Sequence, residues 1–139
     1  MKLTSDQKRL IKSIARDIGA VFIVAFGSKI RGEGKGDSDL DIAVLVHGKP
    51  DYQLFGAAYS RLSDVFRGEN VDVRFLNDAD PLFTMQVVRD GVLLYGDPDS
   101  YDELKVRTNR RYIDDGAVYF PLLDDLLKTQ QQILGANTL

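Results

Sequence analysis

The sequence predicts an α/β fold: a mixed sheet of about four strands packed with helices, followed by C-terminal helices. Three observations carry that expectation. Apolar runs at residues 21–26, 40–46, 71–76 and 92–95 have strand length and are bounded by glycine, proline or aspartate. Between and around them, apolar residues recur at helical spacing. The connection from Gly27 to Asp41 is short for a parallel crossover, which usually carries a helix, so a mixed sheet is expected.

Taken in order, Thr4-Ser5-Asp6-Gln7 has the spacing of a capping box, and Leu10, Ile11, Ile14, Ala15 and Ile18 then form a helical stripe up to Gly19. The first strand, residues 21–26, ends in Gly27-Ser28, which opens a short turn through Lys29, Ile30 and Arg31. Residues 32–38 carry three glycines, so they read as a loop able to approach a ligand closely. The second strand, 40–46, ends at His47-Gly48-Lys49-Pro50. Leu54, Phe55, Ala58, Leu62, Val65 and Phe66 place a second helix within residues 51–67. The third strand alternates, Val71, Val73 and Phe75 against Asp72 and Arg74. Asp80-Pro81 starts a third helix, stopped at Asp90-Gly91 before the last strand. From Asp99 the pattern is helical again, Pro121 breaks it, and Leu122 to Leu134 suggest one more amphipathic helix.

With 139 residues the chain fits one domain, 1–139, with a core at about 10–96 and a helical segment at about 99–134. The 18 basic and 21 acidic residues are interspersed, giving a net charge of −3, so no broad nucleic-acid or membrane surface is expected. Cysteine is absent, which excludes thiolate catalysis, disulfides and cysteine-ligated zinc. The charged N-terminus lacks a secretory apolar core, and no apolar run approaches the ~18 residues of a membrane span. The expectation is a soluble cytoplasmic protein.

Chemistry concentrates at two places. Gly27-Ser28 follows a buried strand, where a tight turn can aim backbone N–H groups at an anion. Asp39 and Asp41 stand at the start of the second strand, two residues apart and so on one side of it. Two such close carboxylates repel, which points to a divalent cation between them. Asp72, inside the third strand, adds another. Two metal ions bridged by carboxylates can stabilise the attacking and leaving oxygens of an in-line phosphoryl displacement, and the third carboxylate can hold the activating metal or take the proton. Lys29, Arg31 and Lys35 could offset charge on a pyrophosphate leaving group, Arg31 foremost because of its place after the turn.

Gly27-Ser28, ten residues, then Asp39-Leu40-Asp41, with Asp72 in Val-Asp-Val-Arg-Phe, resembles the signature of the DNA polymerase β-like nucleotidyltransferase superfamily. It is most similar to the minimal nucleotidyltransferase (MNT) antitoxins of HEPN/MNT toxin–antitoxin pairs, over roughly residues 10–96, with Ile30 in place of a small residue. The resemblance implies an enzyme that binds ATP and Mg2+, with two ions expected, and transfers AMP to a tyrosine hydroxyl of a partner HEPN ribonuclease toxin, silencing it. It makes Asp39 and Asp41 metal ligands, Asp72 metal ligand or base, and Gly27 and Ser28 triphosphate contacts.

Other readings stay open at this point. A mid-strand Asp72 can be an edge residue or a partner of Arg74. Arg107, Arg110 and Arg111 read as a solvated helix face or, across the cleft, as contacts to triphosphate or partner. His47 reads as a loop residue, and the six tyrosines as packing residues or as self-modification sites. The function has two alternatives: transfer to a small hydroxyl compound such as an antibiotic, and a non-catalytic antitoxin that masks its toxin by binding.

Overall fold

The computed structural model describes residues 1–32 and 38–114, with side chains through Arg110. Lys35, the side chain of Arg111 and the expected helix beyond Pro121 lie outside the described residues.

Helix α1, Ser5–Ile18, begins with the expected capping box: the Gln7 N–H donates to Thr4 Oγ1 at 3.1 Å, and the Thr4 N–H donates to Gln7 Oε1 at 2.9 Å. Gly19 closes it in the left-handed region, φ 71°, with its N–H on the Ala15 carbonyl. Ile11, Ile14, Ala15 and Ile18 are buried, whereas Leu10 stands exposed beside the stripe. Strand β1, Ala20–Phe26, is followed by β2, Leu40–Val46. Helix α2, Tyr52–Val65, is capped by the Asp51 carboxylate, which accepts the Leu54 N–H at 2.8 Å.

Strand β3, Val71–Phe75, leads to α3, Pro81–Asp90, where Asp80 Oδ1 accepts the Leu82 N–H and Pro81 occupies the first turn. Strand β4, Val92–Tyr95, leads to α4, Pro98–Asp114, one residue longer at its start than the pattern predicts because Asp97 takes both the N–H and the hydroxyl of Ser100.

The sheet order is β3-β2-β1-β4. β1 runs antiparallel to both β2 and β4, and β2 runs parallel to β3 through the α2 crossover, so the sheet is mixed as expected. Strand alternation sorts the core into two layers. On one face, Ile23, Ile42, Val44, Val71 and Val73 pack with α1 and α2, and Ile30 joins this layer. On the other, Phe22, Val24, Ala43 and Leu76 pack with Val87, Val88 and Tyr101 of α3 and α4. Gly91 sits where α3 turns into β4; a Cβ there would lie 2.4 Å from both Val24 Cγ1 and the Val87 carbonyl. Among the described residues no helix is long and apolar enough to cross a membrane.

Candidate active site

The register brings two expected carboxylates together. Asp41 of β2 is the direct partner of Asp72 on β3 and, on its other side, of Phe26 on β1. Partners in register project to one face, and here that is the α3–α4 face shared with Ala43 and Leu76. The sequence places Asp72 on a strand; pairing across a crossover helix puts it beside Asp41.

Gly27 follows Phe26 with φ +90°, a conformation that favours glycine. A second constraint is steric: a Cβ at Gly27 would lie 2.2 Å from Asp41 Oδ2. The Asp41 carboxylate therefore lies directly against the turn. Ile30 and Arg31 N–H groups both donate to the Gly27 carbonyl at 3.1 Å, which winds residues 27–31 into one tight turn carrying the half-buried Ser28.

Asp39 lies just before β2. Its Oδ1 accepts the Asn70 amide at 2.6 Å, while the Leu40 N–H donates to the Asn70 carbonyl at 2.8 Å. Asn70 is a site residue that sequence reasoning missed. Its signal was positional: it stands two residues before Asp72, as Asp39 stands two before Asp41.

Burial raises the Asp41 carboxyl above its ordinary range, and the charges of Asp72 and then Asp39 push it further, with Arg74 and Arg31 pulling it partly back. The three carboxylates thus share one electrostatic neighbourhood. Among the described residues, however, no three carboxylate or imidazole groups are already gathered as a metal-ligand cluster, and Asp39 is turned to Asn70. The donor set is nonetheless all carboxylate oxygen, the kind a hard divalent cation takes, and the charges of Asp72 and Asp39 add to burial in raising Asp41.

Of the expected cations, Arg31 lies near enough to act on Asp41 and also pairs with Asp90 at 3.8 Å. Lys29 differs: it pairs with Glu69 and donates to the Ser38 carbonyl at 3.2 Å, tying the turn to the approach to β3. Arg107 does not face the carboxylates. It lines a cavity of about 540 Å³ with Leu45, Leu76, Thr84 and Leu104, at the far end of the strands, four residues or about 13 Å from Asp41 and Asp72. Asp39, Asp41 and Asp72 are not among the residues that line this cavity.

A family model described as Polymerase beta, Nucleotidyltransferase matches residues 8–100. Among solved structures, a chain of a toxin–antitoxin crystal structure with AMP-PNP is similar with a TM-score of 0.70 and 27% identity, covering 86% of this chain and 98% of that one. A chain from the complex of a tri-AMPylated Shewanella oneidensis HEPN toxin with its MNT antitoxin gives a TM-score of 0.65 and 25% identity, covering 87% and 96%. The spectinomycin adenyltransferase of Enterococcus faecialis, with ATP and spectinomycin, is 16% identical at a TM-score of 0.53, covering 92% of this chain and 69% of that one, a likeness of fold alone. A comparison with curated protein sequences returns no significant match.

Proposed function

Because the chain belongs to the polymerase beta nucleotidyltransferase family, we propose that it transfers AMP from ATP to a tyrosine hydroxyl of a partner HEPN ribonuclease toxin, and so serves as that toxin's antitoxin. The observation that carries this reading is the in-register pair Asp41 and Asp72, with Asp41 against the Gly27 turn.

Asp41 and Asp72, with Asp39, would hold Mg2+, which when bound supplies Lewis-acid stabilisation of phosphoryl oxygens and a more acidic acceptor hydroxyl. The remaining work falls to the chain. Backbone N–H groups of Gly27 and Ser28 bind the triphosphate, and Arg31 offsets charge on the departing pyrophosphate. The acceptor oxygen attacks the α-phosphorus in line; the new O–P bond forms as the bond to the pyrophosphate oxygen breaks, and the acceptor's proton passes to Asp72. Asn70 holds the Asp39 carboxylate at the start of β2 through its amide. The antitoxin role is supported by similarity to chains of toxin–antitoxin complexes, one holding an AMPylated HEPN toxin. Transfer to an antibiotic has only fold likeness behind it. Masking without catalysis leaves the mutually repelling carboxylates without a purpose.

The test incubates the protein with Mg2+, a cognate HEPN toxin and ATP labelled at either the α- or the γ-phosphate. Toxin label from α-labelled ATP only, lost in Asp72→Asn, is expected. No label alongside undiminished inhibition of the toxin would establish the masking reading instead.

A further inference from the structure

Alternation along β3 sends Arg74 to the same face as Asp72, and two contacts fix how its guanidinium lies. Nε is 3.4 Å from Asp72 Oδ2, and Cζ stands over the Phe83 ring at 5.5 Å from its centroid. Phe83 is itself held edge-to-face by Phe26, the register partner of Asp41, at 5.7 Å and 81°. The ring beneath Arg74 is thus anchored to the strand that carries the turn. A charge needed only to balance Asp72 requires no aromatic shelf; a shelf sets the plane of a guanidinium. The Arg74 side chain is 60% exposed, which leaves room for a second group beside the guanidinium.

We infer that the outer face of the Arg74 guanidinium is the docking plane for the aromatic ring of the acceptor, so that the site selects phenolic over aliphatic hydroxyls. The inference rests on the transferase reading above and deepens it by naming what chooses the acceptor. A ring laid on that face gains a cation–π contact. Its para hydroxyl then overhangs the Asp72 carboxylate that the same guanidinium holds, where its proton is to be lost. Arg74 also stands beside the oxygen as phenolate character develops. In this arrangement Arg74 is a specificity-determining residue, with Phe83 positioning it.

An adenine ring is the other aromatic group that could lie on this plane, and the test separates the two. AMP transfer to a tyrosine peptide is measured with wild type, Arg74→Ala and Arg74→Lys, the last keeping charge without a plane. The same peptide with Phe or with Leu at the acceptor position is added as a competitor. The acceptor KM is expected to rise roughly 3- to 30-fold in both variants, the range of a cation–π contact, while the KM for ATP holds. The Phe peptide is expected to inhibit wild type more strongly than the Leu peptide, and that difference to vanish in both variants. A rise in the ATP KM with the Phe–Leu difference intact would assign the plane to adenine and overturn the inference; so would full retention in Arg74→Lys. A wild type that modifies no hydroxyl would instead remove the transferase reading, and the inference with it. Thermal unfolding of each variant shows that the exposed substitution leaves the fold in place.

Discussion

Gly27 and Asp41 cannot be considered apart. The glycine adopts φ +90° and leaves the space that Asp41 Oδ2 fills, since a Cβ would come within 2.2 Å of it. Gly27→Ala must therefore displace the carboxylate or open the turn. An ångström-scale displacement at a reacting centre costs about 100-fold in rate, so AMP transfer by Gly27→Ala is expected to fall by about that factor in a kinetic assay. Asp41 also carries a stability signature. Its carboxyl is raised above the ordinary 3.8 by burial first, then by Asp72 and Asp39. The folded state therefore binds this proton more tightly than the unfolded chain does. Stability from this group is fullest below the ordinary value and is lost as pH rises through the raised one. Asp41→Asn without added metal is thus expected to melt at higher temperature than wild type at pH 7, with the gap closing as pH falls below about 4. Calorimetry across that range checks both parts, and an equal or lower melting temperature at pH 7 would contradict the raised Asp41 carboxyl.

At the scale of elements, the strands and helices were legible because their signals are local. Apolar runs of strand length, the Thr4–Gln7 capping box, the Asp80-Pro81 start and the Gly19 stop each act over a few residues. The places of Gly27, Asp39, Asp41 and Asp72 in the fold were legible for a related reason, standing at fixed offsets from strand ends. Long-range pairing was not. Asn70 with Asp39, Lys29 with Glu69 and Arg74 with Phe83 join segments whose meeting depends on strand order and on β2 and β3 being parallel. Helix ends shifted by a residue or two where side-chain caps, such as Asp97 on Ser100, decided the boundary. The Asn70 clamp joins the starts of two strands, and an outer partner of a metal-binding carboxylate is worth about 10- to 100-fold in affinity or activity. Asn70→Ala is expected to weaken Mg2+ dependence by that range, read as the concentration giving half-maximal transfer. Asn70→Asp, which adds charge where an amide donates, is expected to do worse.

Across the whole molecule, the two layers divide labour. The α1–α2 layer is closed and apolar, with Ile11, Ile23, Ile42 and Leu62 almost fully buried. It anchors β1 and β2 from behind while the other face carries the carboxylates, with Phe26, Phe83 and Arg74 alongside. Leu62→Ala in this layer is expected to cost about 2–5 kcal/mol, a large share of the 5–15 kcal/mol typical of a folded domain. At a temperature where the variant stays folded it should retain the wild-type KM for ATP, because the site lies across the sheet. Denaturant unfolding beside steady-state kinetics checks the division.

As an AMP-transferring antitoxin the protein must turn over at its carboxylate face, rather than merely cover a toxin. The most direct measurement is the number of AMP groups that one molecule of this protein places on excess HEPN toxin, counted by intact mass in the presence of ATP and Mg2+. The expected result is many AMP-modified toxins per molecule, with toxin ribonuclease activity silenced well below equimolar protein and Asp41→Asn unable to do either. Silencing that needs equimolar protein, adds no mass and persists in Asp41→Asn would contradict it.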